Sequence, residues 1–398
     1  MSEIKRIALF LDGTWNNVDD NTNVWRLKSL CDKSAEQLVY YSAGVGTQSG
    51  ERLSGGMFGI GINDEVTNAY EWLVEHYTDG AQLFIFGFSR GAFTARSLAG
   101  FISKCGLLKP GSPVSLKQMF ERYRKGTATT VGGLAHVSDD QLPQEDKWIK
   151  EYSRRIPIWF QGVWDTVGAL GVPLPLLPNV SRSDFAFLET DLHINDTHAF
   201  HALAIDEHRK AFAPTLWVKS TPKIGDTFPP RDLAHVEQRW FVGAHANVGG
   251  GYENDLLAQV PLEWLMKKAV AHGLLFKDTI VIDGNANTCA VHDSLKEMAH
   301  GIYEIVTLGK HYYRPIGAEP VDVGDAIKTT INETIDATVF DRWRVDSTYR
   351  PQNLATWGSR RGVDPGTLKH AVLAKDATPI AEAIPQPGAA QNLPTTLN

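Results

Sequence analysis

Cysteine is scarce, with only Cys31, Cys105 and Cys289 in 398 residues and no C-x-x-C spacing among them. That excludes a disulfide framework and a cysteine zinc cluster, and it fits a chain made in a reducing compartment whose thiols are buried fillers. No apolar run reaches the roughly 18 residues of a membrane span. The start, Met1-Ser2-Glu3-Ile4-Lys5-Arg6, enters an apolar strand with no signal-peptide core. The expectation is a soluble chain synthesised in the cytoplasm without a signal peptide. Charge of one sign is also missing: the formal net charge is -7 with the signs well mixed. A nucleic-acid surface or a polybasic anchor is therefore not expected. What is plentiful is apolar residue, 43% of the chain with 11 Trp, enough for a large core and apolar pockets. We expect one catalytic-size domain over 1–373, followed by an Ala/Pro/Gln-rich tail, 374–398, that lacks order.

The stretch from Leu83 to Arg96 reads as strand, tight turn and helix. A buried apolar run ends at Phe86, and Ala92, Ala95, Leu98, Ala99 and Ile102 continue on a helical period. Between them Gly87, Ser89 and Gly91 spell G-x-S-x-G, the elbow that exposes a nucleophilic serine at the carboxyl edge of a sheet. Small residues are needed there because the strand and helix backbones cross closely. The five residues alone describe an ordinary β–α turn equally well, and the strand and helix around them favour the nucleophile. Ile7 to Leu11 is a second buried strand, closed by Asp12-Gly13-Thr14. Ligands gather at strand carboxyl ends in α/β sheets. That turn is thus a candidate site wall, with an Asx turn capping the next helix as the alternative.

Further along, Leu38 to Ser42 reads as a strand and Gly55 to Gly61 as a flexible loop near the site, since it lacks the Gly-Lys-Ser/Thr of a phosphate loop. Asn63 or Asp64 caps a helix with Val66, Ala69, Tyr70, Leu73, Val74 and Tyr77 on one face. Residues 105–155 mix Pro, Gly and charge and read as a cap insertion. Ile156 to Val163 is a strand running into Trp164-Asp165. The histidine-rich segment His193 to Arg209 matches no metal-binding spacing and reads as a solvated helix. No metal or other cofactor is expected. Trp240 to Gly243 is another strand, and His245 follows it ahead of Gly249-Gly250-Gly251, on what reads as a mobile loop open to a cleft.

Ser89, Asp165 and His245 each follow a strand and stand in the chain order of an α/β-hydrolase triad. A serine hydroxyl is a weak nucleophile, so a neutral imidazole must take its proton and a carboxylate must fix the imidazole tautomer. The tetrahedral oxyanion needs backbone donors. Arg90 N–H, directly after the nucleophile, is one candidate, and the Gly13-Thr14 turn is the other. Asp12, Phe88 and Trp164 flank these positions and are candidates for substrate contact. Asp206 also lies between Ser89 and His245, but it sits beside Glu207, His208 and Arg209 on a pattern that reads as helical and solvent-facing. The less charged surroundings of Asp165 favour it as the acid. The fold expected is an α/β-hydrolase-like, mostly parallel sheet flanked by helices, with cap and loop insertions.

Six ordered motifs carry a resemblance: Phe10 through Asn16, Gly44 through Thr47, Gly87 through Arg96, Val163 through Gly168, His201 through Arg209 and His245 through Tyr252. Together they resemble the Tle1-like phospholipase effectors of bacterial type VI secretion, also described as the DUF2235 domain. The resemblance implies ester hydrolysis of phospholipids by Ser89, Asp165 and His245, contact with a membrane surface, delivery to another cell, and secretion or immunity proteins as partners. Trp15, Met57-Phe58 and Leu174 to Leu177 are the aromatic and apolar candidates for facing lipid. Members usually read His-Ser-Asp-Val-Gly-Gly-Gly-Tyr, whereas Ala246 and Asn247 stand here and a carboxylate behind the histidine is lost. A soluble esterase on another acyl ester and a silent binding module on the same scaffold are the alternative readings.

Overall fold

The computed structural model describes residues 5–13, 21–44, 57–125, 129–168, 191–218, 229–282, 286–294, 311–317, 321–323, 326–328, 330–373 and 380–383. Its strands, in chain order, are β1 (Arg6–Leu11), β2 (Gln37–Ser42), β3 (Gln82–Phe88), β4 (Leu107–Leu108), β5 (Ser153–Arg154), β6 (Ile158–Trp164), β7 (Asp196–Ala204), β8 (Val236–Phe241), β9 (Val321–Val323), β10 (Ala326–Lys328), β11 (Glu333–Ile335), β12 (Leu368–Leu373) and β13 (Ile380–Ala383). Nine of them form one sheet in the order β13-β12-β11-β8-β7-β6-β3-β1-β2. Every pair from β11 to β2 is parallel, and β12 and β13 add an antiparallel edge.

Parallel sheets of this kind bury both faces, which is why β1 and β3 are continuous apolar runs rather than alternating ones. Ile7, Leu9, Leu11, Leu83 and Ile85 pack under α2 (Met57–His76) and α3 (Arg90–Cys105), whereas Ala8, Phe10, Phe84 and Phe86 pack under α1 (Asn23–Leu30) and the helix Gln259–Ala271. Each fully buried aromatic here contributes about 1.5–3 kcal/mol by leaving water. The chain runs outward from β1 to β2 and then returns to set β3 on the other side of β1. That reversal opens a crevice at the carboxyl ends of β1 and β3, where such sheets bind ligands.

Several expectations change. The segment His193 to Arg209 is largely strand β7, not a solvated helix: His201 is wholly buried and His198 stacks on His272 at 3.7 Å. Asp196 accepts from Gln161 and from the His193 N–H, and His201 accepts from Thr166, so polarity there does not signal solvent. The strand before His245 begins at Val236, earlier than its apolar residues suggest, because Glu237 is paired with Arg239 and Lys268. The glycine-rich run ending at Gly61 is not wholly a loop; α2 begins at Met57 and carries Gly59 and Gly61 inside it. Residues 105–155 supply β4 and β5 with three helices, α4 (Leu116–Arg124), α5 (Val131–Leu134) and α6 (Gln144–Tyr152), whose Met119, Tyr123, Leu134 and Ile149 join the core under α3. In the tail expected to lack order, Ile380–Ala383 pairs with β12.

Candidate active site

Ser89 stands between β3 and α3 with φ 59° and ψ -120°, a backbone conformation that costs a non-glycine residue about 1–3 kcal/mol. The turn closes because its neighbours have no side chain: a Cβ on Gly87 would lie 2.4 Å from the Gly91 carbonyl oxygen, and one on Gly91 would lie 2.1 Å from that of Leu11. The Ser89 N–H donates to Trp164 O at 3.1 Å, which ties the elbow to the end of β6. Its hydroxyl Oγ lies 2.8 Å from Nε2 of His245.

Asp165 ends β6 at φ 40° and is wholly buried. Its Oδ2 is 2.5 Å from His245 Nδ1, and Oδ1 accepts the Ala204 N–H at 3.0 Å. Arg314 grips both oxygens, Nη1 to Oδ1 at 2.6 Å and Nη2 to Oδ2 at 3.0 Å. Burial by itself raises this carboxyl, but the Arg314 charge and the bond from His245 outweigh it and hold it well below the usual carboxylate range. The next residue, Thr166, donates its N–H to His201 Nε2 at 3.0 Å. Burial, with Arg96 near by, pushes His201 down to about 3, so it stays a neutral acceptor.

His245 opens the short helix α7 (His245–Gly249), and its ring lies between Phe88 at 4.7 Å and Phe212 at 5.0 Å. It is buried and packed, not on a mobile loop open to a cleft: the glycines bring the chain close enough that a Cβ on Gly249 would strike the Phe88 ring. Its N–H donates to Glu207 Oε2 at 3.2 Å. Glu207 is itself held by Arg209 and by the Ser294 hydroxyl, and although burial opposes ionisation, Arg209 brings it down to about 2. Burial lowers the His245 pKa as well, against the opposing pull of Asp165. With the Nδ1 proton directed at Asp165, Nε2 is left to accept the Ser89 proton.

Asn247 accepts the Ala244 and His292 N–H groups at Oδ1 and donates Nδ2 to Asp255 at 2.9 Å. An amide can do both; a carboxylate would meet Asp255 as a like charge. Arg90 is the first residue of α3, which puts its N–H at the positive end of that helix. The Gly13 N–H, expected as the second oxyanion donor, is directed at Oδ1 of Asp12 at 2.8 Å. Asp12 also accepts the hydroxyls of Thr22 and Tyr41 at Oδ2, and the cap of α1 is Thr22 rather than an Asx turn at Asp12. Thr14 and Trp15 lie outside the described residues, as do Val45 to Thr47 and Leu174 to Leu177. Trp164, expected to touch substrate, is instead wholly buried in the core, because its side chain turns to the face under Gln259–Ala271. Phe88 is buried against His245 and Gly249.

Asp206 is not on a solvent-facing helix. It is buried just past β7, where its carboxylate accepts the Gly243 N–H at 2.8 Å and the Tyr349 hydroxyl at 3.0 Å, and Arg209 pairs with Glu207 instead. Sequence reasoning missed Arg314, Glu207 and Tyr349. Glu207 sits inside a quoted motif, but nothing periodic marks Arg314 in Tyr312-Tyr313-Arg314-Pro315. Beside the elbow, Glu65 accepts from Thr94 at 3.2 Å, its Oε1 has no hydrogen-bond partner among the described residues, and burial pushes it up to about 8. Among the described residues no group of His, Cys, Asp and Glu could hold a metal ion.

Residues 5–268 match the family described as type VI secretion, phospholipase effector Tle1-like, catalytic domain. The uncharacterized protein YEL023C of Saccharomyces cerevisiae is 30% identical over 301 residues, 70% of this chain and 42% of the yeast protein. The chain thus spans less than half the length of that relative. Among solved structures, an uncharacterized protein from Pseudomonas aeruginosa superposes with TM-score 0.41 and 18% identity, over 70% of this chain and 48% of that one. The apo form of Thermogutta terrifontis esterase 2 gives TM-score 0.35 and 12% identity, over 69% and 87%. Because the family match takes in more than half of the chain, with Ser89, Asp165 and His245 inside it, the chain belongs to the Tle1-like catalytic-domain family of type VI secretion phospholipase effectors.

Proposed function

We propose that the chain is a serine hydrolase of carboxylic esters, and that phospholipid acyl esters are its substrates. The observation that carries the reading is the unbroken chain of hydrogen bonds from Asp165 through His245 to Ser89. As Ser89 Oγ bonds to the ester carbonyl carbon, its proton passes to His245 Nε2 and the carbonyl electron pair moves onto oxygen. Collapse of that adduct breaks the bond to the alkoxy oxygen, which takes the proton from Nε2 and departs as the alcohol, leaving acyl-Ser89. Water, deprotonated by the same imidazole, then releases the acid and restores the serine. Asp165 keeps the proton on Nδ1 and stabilises the imidazolium, while the Arg90 N–H, at the positive end of α3, stabilises the oxyanion. With the Gly13 N–H engaged by Asp12, Thr14 is the remaining candidate for a second donor. The lipid substrate rests on family membership, as do delivery by type VI secretion and an immunity partner.

Ser89→Ala should keep its fold by circular dichroism and lose about 10³-fold or more of its rate on p-nitrophenyl esters. A fluorophosphonate should label the wild type on Ser89 and spare the variant; an unchanged rate would sink the reading. The rate on phospholipid should rise as substrate passes from monomers to vesicles. A flat response moves the substrate to a soluble acyl ester.

A further inference from the structure

We propose that Arg314 is a positioning residue that keeps the His245 base neutral into the acidic range, by holding a permanent positive charge on the carboxylate that His245 uses. The inference rests on the triad reading and concerns how that site is tuned.

Arg314 is wholly buried, and four acceptors fix its guanidinium: both oxygens of Asp165, the Ala204 carbonyl at 2.8 Å and the Phe212 carbonyl at 2.6 Å. The planar fork therefore sets the plane of the carboxylate, which in turn aims the imidazole. Through the Phe212 backbone it also holds a residue whose ring packs on His245. A buried carboxylate without such a cation finds its compensation in the imidazole, so His245 would take a proton at higher pH and lose its capacity as a base. With Arg314 in place the carboxylate is already compensated, and the imidazole charges only at lower pH.

Among the described residues, the other groups facing His245 are few. Asp165 at the end of β6 and Glu207 after β7 favour its charged form; Arg209 and desolvation oppose it. Ser89, Phe88 and Phe212 carry no charge. Removing the Arg314 charge thus leaves two carboxylates against one arginine. Arg314 also lies beyond residues 5–268, so chain outside the matched catalytic region completes the surroundings of the acid.

The test is the pH dependence of kcat/KM, whose acidic limb reports the base in the free enzyme. In full-length Arg314→Met that limb should move up by roughly one pH unit or more, and in Arg314→Lys, which keeps the charge without the fork, by less than half as much. A purely structural arginine would scale activity equally at every pH; an unmoved limb in a folded Arg314→Met overturns the proposal. Should neither variant fold, the wild type decides: its acidic limb should lie below the ordinary histidine value of about 6.5, and a limb at or above that value overturns it. If instead Ser89→Ala remains active, it is the hydrolase reading that fails, independently of where the limb lies.

Discussion

Two aspartates close neighbouring strands of the same sheet, Asp165 after β6 and Asp206 just past β7, and both are withdrawn from water. Their chemistry is opposite. Burial pushes each carboxyl up, but Asp165 has the Arg314 guanidinium on both oxygens and is driven down, whereas the direct partners of Asp206 are the neutral Gly243 N–H and the Tyr349 hydroxyl, and it stays raised. Burial alone does not make an acid ionised or protonated; between these two aspartates the cation at contact distance makes the difference. One aspartate is thereby kept as an anion facing the imidazole, and the other serves as a bracket between the loop at Gly243 and the helix-rich segment carrying Tyr349.

The comparison breaks most sharply on activity. Asp165→Asn should lower kcat by roughly 10⁴-fold, because an amide cannot hold the imidazole tautomer as the anion does. Asp206→Asn should cost less than about tenfold in kcat and act mainly on KM or on stability, by about 1–2 kcal/mol. Both are measured at saturating ester, and a larger loss for Asp206→Asn would reverse the two roles.

A smaller effect concerns stability against pH. Asp206 binds its proton more tightly folded than unfolded, so its contribution is present below the unfolded value of about 3.9 and is lost as pH rises through the raised folded value. Wild type should therefore gain stability relative to Asp206→Asn as pH falls from 7 to 4. For Asp165, depressed in the fold, the contribution is present above about 3.9 and lost as pH falls through its folded value. Urea titrations of both variants at several pH values read the two signs, and equal signs would collapse the distinction.

The smallest effect is Tyr349→Phe, which removes one hydroxyl from Asp206 and should cost about 1 kcal/mol with no change in the acidic limb of kcat/KM. A shifted limb would mean that Asp206 also tunes His245.

The preference for Asp165 over Asp206 coincides with the geometry, but for an inverted reason. Asp165 looked sparsely charged because its cation is 149 residues away in sequence, and Asp206 looked solvated because Glu207, His208 and Arg209 adjoin it. In the fold Arg209 turns to Glu207, leaving Asp206 with neutral contacts.

The strand–turn–helix at Ser89, the order of Ser89, Asp165 and His245 after their strands, and the parallel sheet were legible along the chain, because each rests on local patterns: apolar runs, the turn glycines and their spacing. Which groups meet the two aspartates, that Asp12 bonds its neighbour Gly13, that Trp164 faces the core and that a histidine-rich segment is an interior strand emerged with the fold. Those outcomes depend on partners brought together from distant parts of the chain, and a residue's charge in sequence does not say which of them it will meet once water is excluded.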